Sequence, residues 1–406
     1  MIHISDKANC CGCSACAQKC PKQCITMVED KEGFLYPKVN EELCIQCGLC
    51  EKVCVELSQY DKRIPLAAWA AKNNDEHIRE KSSSGGVFSL LAEAVIRKDG
   101  VVFGVRFDDQ WECTHDYIEK EEDIQLFRGS KYLPSKIGES YKNVEKFLRL
   151  GRIVLFSGTP CQIAGLNKFL NKDYSNLYTV EVVCHGVPSP AVWRKYKESV
   201  MKNCARDGGN SVSINSIPPS EICNQFLTGN GEIMGVNFRS KRLGWKKYSF
   251  DFTLAKAKGY GQQNSVTVSQ SAEKNPYMRL FVYNVILRPS CYQCPAKAGR
   301  NKSDITVGDF WHINDVMPEY NDDKGVTLVY LNTEKGKELF DRIDCDKKSL
   351  SVEDAINKPA WYRSSGKNPF RSIYYKMYKY LDFDFIAQKV TNYRNVKFVL
   401  RVKKML

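Results

Sequence analysis

The sequence predicts an α+β chain: a small cysteine-framed module, then a mixed-sheet body with α/β-like stretches. Three observations predict it. Residues 1–62 carry one cysteine spacing twice. A short strand–turn–strand pattern lies between the two copies. From Leu66 onward, buried-strand runs alternate with helical periodicity.

The chain has 18 cysteines, and eight of them form the two copies. The first is Cys10, Cys13, Cys16 and Cys20, followed by Pro21; the second is Cys44, Cys47, Cys50 and Cys54, followed by Val55. Three thiolates spaced two residues apart wrap a loop around one face of an iron–sulfur cubane. The fourth lies too far along the chain to close the same cube, and in two-cluster ferredoxins it ligates the other cluster. The expected [4Fe–4S] sets are therefore Cys10, Cys13, Cys16 and Cys54, and Cys44, Cys47, Cys50 and Cys20. Structural zinc sites pair two short knuckles across a longer gap. A disulfide framework needs an oxidising compartment and normally a small secreted chain. Cys11 and Cys24 fall outside the pattern and read as bystanders. Ile25–Val28 and Phe34–Tyr36 read as strands around a turn at Asp30–Gly33. Such a hairpin buries little apolar surface, so the clusters are expected to hold this bacterial-type ferredoxin module folded.

At 406 residues the chain should contain two or three domains. The expected division is the module at 1–62, a body in two parts at 66–150 and 151–350, and basic amphipathic helices at 351–406. No apolar run approaches the roughly 18 residues that span a bilayer. The first ligand falls at Cys10, leaving no room for a signal peptide, so a reducing cytoplasm is expected. The net charge of +13 would attract acidic redox proteins, anionic cofactors, nucleic acid or membrane surfaces without choosing among them. Part of it lies between Arg371 and Leu406, where Lys376, Lys379, Lys389, Arg394, Lys397, Arg401, Lys403 and Lys404 interleave with apolar residues. A packed helix with a solvated basic face is the favoured reading there, ahead of membrane-surface contact. A basic iron–sulfur protein that binds nucleic acid is the third functional reading, disfavoured because no recognition helix or basic–aromatic platform appears.

In the body, Val101–Val105, Ile153–Phe156 and Thr179–Val183 read as buried strands, and Phe88–Arg97 and Ser140–Leu150 as helices. No Gly-x-Gly-x-x-Gly follows a strand, so a Rossmann dinucleotide site is not indicated. Three polar loops stand out instead. Ser82–Gly86 opens a helix and could offer amides to a phosphate, although a plain N-cap explains it equally. Arg128–Tyr132 combines cations, a hydroxyl and a ring. Ser157–Gln162 follows a buried strand, where functional loops sit in such sheets. Cys161, Cys184, Cys291 and Cys294 could complete a third four-cysteine cluster; spacing alone leaves scattered buried thiols equally open. Cys113, Cys204, Cys223 and Cys345 read as structural.

Taken together, the segments SSSGGVF (82–88), GSKYLPS (129–135), GTPCQ (158–162), CHGVPSP (184–190) and SCYQCPAKAGRNKSDITVGDFW (290–311) carry a resemblance. The chain resembles the coenzyme F420 hydrogenase/dehydrogenase beta-subunit family, fused to a two-cluster ferredoxin. Pro134, where relatives often carry a polar residue, departs from the pattern. The resemblance implies a flavin-binding oxidoreductase body and a third [4Fe–4S] cluster on Cys161, Cys184, Cys291 and Cys294. It also implies FAD, for which Ser84, Gly85, Gly86, Gly129, Ser130, Lys131, Tyr132 and Thr159 are the candidate contacts. Clusters carry single electrons, and a flavin joins them to two-electron organic chemistry. The expected function is electron transfer between ferredoxin or another redox protein and a small organic molecule, with coenzyme F420 one candidate substrate. A relay component without its own substrate and a homo-oligomer are both compatible. His185 and Asp309 are the candidate proton donors. Orienting the cluster loop is the bland role for His185, and capping a turn is that for Asp309.

Overall fold

The computed structural model describes residues 1–206, 232–255, 265–356 and 361–391. Cys223, Arg394, Lys397, Arg401, Lys403 and Lys404 lie outside them, as does the side chain of Cys204. Contacts divide the chain into two units: Met1–Val187 with Arg288–Ser365, and Pro188–Leu287 with Gly366–Leu406.

The module opens the first unit. Helix α1 (Ala15–Lys19) and helix α2 (Leu49–Lys52) each contain the third cysteine of one copy. Between them, β1 (Ile25–Glu29) pairs antiparallel with β2 (Leu35–Val39). Asp30 closes that hairpin: its Oδ1 accepts from the amides of Glu32 and Phe34 at 2.9 and 3.0 Å. A short side chain that bonds its own backbone is what turns of this kind use.

The remaining strands, in chain order, are β3 (Ala67–Lys72), β4 (Val101–Phe107), β5 (Cys113–Ile118), β6 (Ser135–Lys136), β7 (Val154–Gly158), β8 (Leu177–Val182), β9 (Ile233–Ser240), β10 (Ser249–Ala255), β11 (Ser265–Ser271), β12 (Ile305–Asp309), β13 (Thr327–Leu331) and β14 (Asp346–Leu350). Nine of them form the sheet of the first unit, in the order β14-β3-β13-β12-β8-β7-β4-β5-β6. Strands β4, β7, β8 and β12 run parallel to one another, with antiparallel partners on both flanks. This is the mixed sheet expected, and the three strands and two helices read from periodicity fall in β4, β7, β8 and in α4 and α6 below.

Helices α3 (Glu76–Lys81), α4 (Val87–Ile96), α5 (Ile124–Phe127), α6 (Ser140–Arg149) and α7 (Pro160–Leu170) cover the sheet region. Alternation along the strands separates two cores. Val101, Phe103, Val154 and Phe156 face α6 and α7, and the module's Ala15, Val53 and Val55 join this same core. Val102, Leu155, Val180 and Ile305 face α4 and the Glu334–Asp341 helix.

The second unit contains α8 (Pro190–Arg206) and a three-stranded antiparallel sheet of order β11-β10-β9. Trp193, Phe238, Phe250, Phe252 and Tyr277 are buried together there, with neighbouring ring centroids mostly 5–6.5 Å apart. The Arg371–Met377 and Phe383–Thr391 helices bury Ile373, Tyr374, Phe383 and Ile386, while Lys376 and Lys379 stay exposed. Among the described residues no helix is long and apolar enough to cross a membrane.

Candidate functional site

The two cysteine loops repeat one backbone conformation. Gly12 and Ser14 in the first, and Gln46 and Gly48 in the second, all have φ between +54° and +73°. These positions lie two and four residues after the leading cysteine of each copy. Turns of this hand bring consecutive amides to one side, where they can bond thiolate sulfur. Amides of Gly12, Ala15 and Ala17 do so toward Cys10, Cys13 and Cys16, and Ile2 N donates to Cys50 Sγ at 3.3 Å.

Chain crossing then builds two small cysteine-lined pockets, each partly open to solvent. The first is lined by Cys10, Cys13, Cys16 and Cys54, together with Cys11. Cys20, Cys44, Cys47 and Cys50 line the second, with Cys24, whose Sγ is 3.4 Å from that of Cys20. Burial pushes Cys16 up to about 12, so its bare thiol would stay protonated at neutral pH. A positive metal centre reverses that preference. The donor set and its amide hydrogen bonds therefore fit iron–sulfur clusters. Among the described residues no three cysteine, histidine or carboxylate groups converge on a single metal ion.

In the body, the singled-out loops meet at one edge of the large sheet. β4, β7, β8 and β12 end there at Phe107, Gly158, Val182 and Asp309. The antiparallel strands begin there, at Cys113 and Thr327. In sheets of this kind ligands bind outside the carboxyl ends of the strands. Cys161 enters from the first turn of α7, after the N-cap Thr159 and Pro160. The Thr159 amide donates to Gln162 Oε1 at 2.9 Å, fixing that turn. Cys184 follows β8, and Cys291 and Cys294 come from a 3-10 turn at Pro289–Gln293. Cys184 senses the charges of Cys161 and Cys294, Cys291 those of Cys184 and Cys161, and Cys294 those of Cys161 and Cys291. The fold thus gathers all four thiols. Burial pushes Cys184, Cys291 and Cys294 up to about 12, and the buried Lys297 opposes it at Cys184 and Cys294. Val187 N donates to Cys291 Sγ at 3.4 Å, and Cys294 N to Ser364 Oγ at 2.9 Å.

Three residues that spacing passes over bring these sets together. Cys11, read as a bystander, is within hydrogen-bonding reach of both Cys13 and Cys161. Gly165 of α7 lets the module approach: a Cβ there would stand 2.9 Å from Cys13 Cβ and 3.1 Å from its Sγ. Gln18 of α1 adds an anchor, its Oε1 accepting from Tyr141 N at 3.0 Å.

The loops expected to hold an organic cofactor also converge, since Ser130 N donates to Ser83 Oγ at 2.6 Å and Arg128 Nε to Ser89 Oγ at 3.1 Å. Ser84 Oγ and Gly85 N are already bound, to Val326 O and Thr327 Oγ1 at 2.8 and 2.9 Å. Gly85 is pressed so close to β3 that a Cβ would meet Ala71 O at 2.4 Å. Gly86 caps α4 with φ +84°, and Gly129 has the same φ with open space beside it. Lys131 Nζ lies 3.2–3.5 Å from the carbonyls of Phe127, Arg128 and Gly129, and desolvation pulls it down to about 8. Tyr132 is half-buried in the same loop. Asn73, which no sequence pattern singles out, is buried beside Gly86, and its Nδ2 has no hydrogen-bond partner among the described residues. An unspent donor at this edge, next to a glycine-rich helix start, fits an anionic or carbonyl-bearing cofactor. His185 is exposed and its carbonyl accepts from Ser365 Oγ, while Asp309 is half-buried. They lie just beyond β8 and at the end of the neighbouring β12.

Below the thiol set, Glu181 Oε2 accepts from Ser303 and Thr306 hydroxyls at 3.0 and 2.8 Å. Asp304 Oδ2 accepts from Thr179 N and Oγ1 at 2.9 and 2.8 Å. These bonds hold the segment after Cys294 onto β8. Their partners lie over a hundred residues apart, so no local pattern announces them.

Fold and site together define an iron–sulfur protein of the 4Fe–4S dicluster type, joined to a mixed-sheet body. The dicluster profile matches residues 9–56. The chain belongs to the coenzyme F420 hydrogenase/dehydrogenase beta-subunit family: the profile of its N-terminal region matches residues 68–142 and that of its C-terminal region residues 151–358. It is 26% identical over 165 residues to an F(420)H(2) dehydrogenase subunit from Methanosarcina mazei, covering 38% of this chain and 46% of that one. It is 27% identical over 194 residues to the coenzyme F420-dependent sulfite reductase of Methanocaldococcus jannaschii, covering 46% and 29%. The chain thus spans under half the length of these relatives. A chain of the F420-reducing [NiFe] hydrogenase complex from Methanosarcina barkeri superposes with a TM-score of 0.41 at 16% identity, over 85% of this chain and 94% of that one.

Proposed function

We propose that the protein is an iron–sulfur flavoprotein oxidoreductase that exchanges electrons between a redox protein and a small organic two-electron partner, coenzyme F420 being the first to try. One observation carries this reading. The thiol set Cys161, Cys184, Cys291 and Cys294 lies at the carboxyl edge of the sheet, and Cys11 links it to the ferredoxin cavity of Cys10, Cys13, Cys16 and Cys54. The sites then fall in an order. The set of Cys20, Cys44, Cys47 and Cys50 is outermost, with Cys47 exposed; the Cys10 set is inner, and the Cys161 set is last. The names of the relatives support the oxidoreductase class and the deazaflavin partner.

Bound FAD would supply the change between one-electron and two-electron chemistry. Asn73 Nδ2, Ser130, Lys131, Tyr132 and the amides at Gly86 and Gly129 are the groups proposed to hold it. Ser84 and Gly85 instead fix the loop to β13. His185 and Asp309, at adjacent strand ends, are proposed to handle the accompanying proton. A relay without its own substrate is the second reading, favoured because one relative is named as a component of a larger dehydrogenase.

The test is anaerobic purification with iron, acid-labile sulfide and flavin measured on one sample, followed by mixing with reduced coenzyme F420 and a one-electron dye. About twelve irons and one FAD per chain, with dye reduction, support the enzyme. Roughly eight irons without flavin reject the flavoenzyme and the third cluster. About twelve irons without flavin or dye reduction leave the relay.

A further inference from the structure

Arg288 places a buried positive charge between two of the thiol sets. Its backbone belongs to the loops of the Cys161 set: Arg288 N donates to Val187 O at 2.9 Å, and Cys291 N donates to Arg288 O at 3.0 Å. Its side chain reaches the opposite way, into the ferredoxin module. There Nε donates to Cys10 O at 2.8 Å, and Nη2 donates to Leu35 O at 2.9 Å and to Cys10 Sγ at 3.6 Å. The guanidinium also lies over the Tyr36 ring at 4.3 Å and the Phe34 ring at 5.3 Å.

The residue is only 3% exposed. Among the described residues no carboxylate is in an ion pair with it, and Glu56 feels its charge only at longer range. A buried guanidinium without a counter-ion is costly. A cluster held by four thiolates is net negative, and gains a further negative charge on reduction. The cation and the inner cluster therefore each supply what the other lacks. The fit is tight as well: a Cβ at Gly12 would meet Arg288 Nη1 at 2.8 Å, so the loop is shaped around the guanidinium. The outer set has no such neighbour among the contacts of Arg288.

We propose that Arg288 is a positioning residue for charge: it favours the reduced state of the inner cluster on Cys10, Cys13, Cys16 and Cys54, and so draws an electron inward from the exposed Cys47 side. This rests on the iron–sulfur reading given above. Arginine serves because its charge is permanent and its planar fork satisfies Cys10 and Leu35 at once. Hydrogen bonds and charge near the sulfurs are recognised determinants of cluster potential.

The test is an EPR-monitored redox titration of anaerobically purified full-length protein, as wild type, R288Q and R288K. Substituting Cys47 by Ser in a parallel sample marks which signal belongs to the outer cluster. The expected result for R288Q is at least a tenfold lower reduced-to-oxidised ratio of the inner cluster at a given potential, or 59 mV for one electron. The outer cluster stays within twofold, and R288K stays within threefold of wild type. Loss of the inner cluster from R288Q with its retention in R288K also supports the charge requirement. Unmoved potentials, equal shifts in both clusters, or loss of the inner cluster from both variants overturns the proposal. Wild-type protein without iron or cluster signals would instead overturn the iron–sulfur reading itself.

Discussion

Replacing Gly165 by alanine sets two known effects against each other at the seam between module and body. In an isolated helix the change is favourable by about 1 kcal/mol, because glycine is the poorer helix former. Here the new methyl would stand 2.9 Å from Cys13 Cβ, 2.9 Å from the Tyr141 hydroxyl and 3.1 Å from Cys13 Sγ. None of the three atoms can step aside freely. Tyr141 is fully buried and its hydroxyl donates to Gln162 O at 2.9 Å, while Cys13 is buried in the cluster loop. Overpacking of this kind costs about 1–3 kcal/mol, so the net effect is a loss of up to about 2 kcal/mol. At roughly 2–4 °C per kcal/mol, the melting temperature should fall by up to about 8 °C. The displaced group is a proposed ligand, so the inner-cluster EPR signal should change shape or disappear. Anaerobic thermal unfolding, iron analysis and EPR on G165A measure all three. A melting temperature above wild type with an unchanged spectrum would refute the close approach.

Other outcomes are equally definite. Cys161→Ser should lower iron by about four per chain and leave the ferredoxin signals in place, whereas unchanged iron would remove the third cluster. Gly85→Ala should cost about 1–3 kcal/mol in chemical denaturation, since its Cβ would meet Ala71 O at 2.4 Å and Thr327 N at 2.8 Å; a neutral result would mean that the loop is not stitched to β3 and β13. His115 is pulled down to about 4 by burial between Ser135 Oγ and Ser157 O. Its folded value lies below the free one, so the unfolded chain takes the proton first as pH falls. Stability should be full above about pH 6.5 and drop by as much as about 3 kcal/mol by pH 4. H115Q, compared at the same pH values, should lack that part of the decline; identical pH profiles would sink the assignment.

The chemistry was more legible than the architecture. Two cysteine runs announce a 4Fe–4S dicluster module because their repeated spacing is local, and the hairpin between them is a local pattern. Strands β4, β7 and β8 show as apolar runs because they are buried on both faces. Strand order is another matter: β3 pairs with β13 and β14, more than two hundred residues away, through backbone bonds that no side chain advertises. Nor does any local pattern mark that Pro188–Leu287 leaves the first contact unit between β8 and β12. Cys11 looked idle because only the docking of α7 reveals its second neighbour. Arg288 and Gly165 could not be singled out at all, since their partners lie in the module, far along the chain. Asn73 is one polar residue at a strand end, and its unspent donor becomes visible only once its surroundings are counted.

Ala15, Val53 and Val55 belong to the same apolar core as Phe103 of β4 and Phe156 of β7. The amino-terminal module is therefore not a detachable cartridge. Excised at residue 62, it would carry a bare apolar face into water, and the rest of the chain would keep the matching hollow. Damage to the interior of either part should spread to the other as one cooperative melting event. A change as remote as Phe103→Ala would then loosen the cysteine loops without touching a single sulfur.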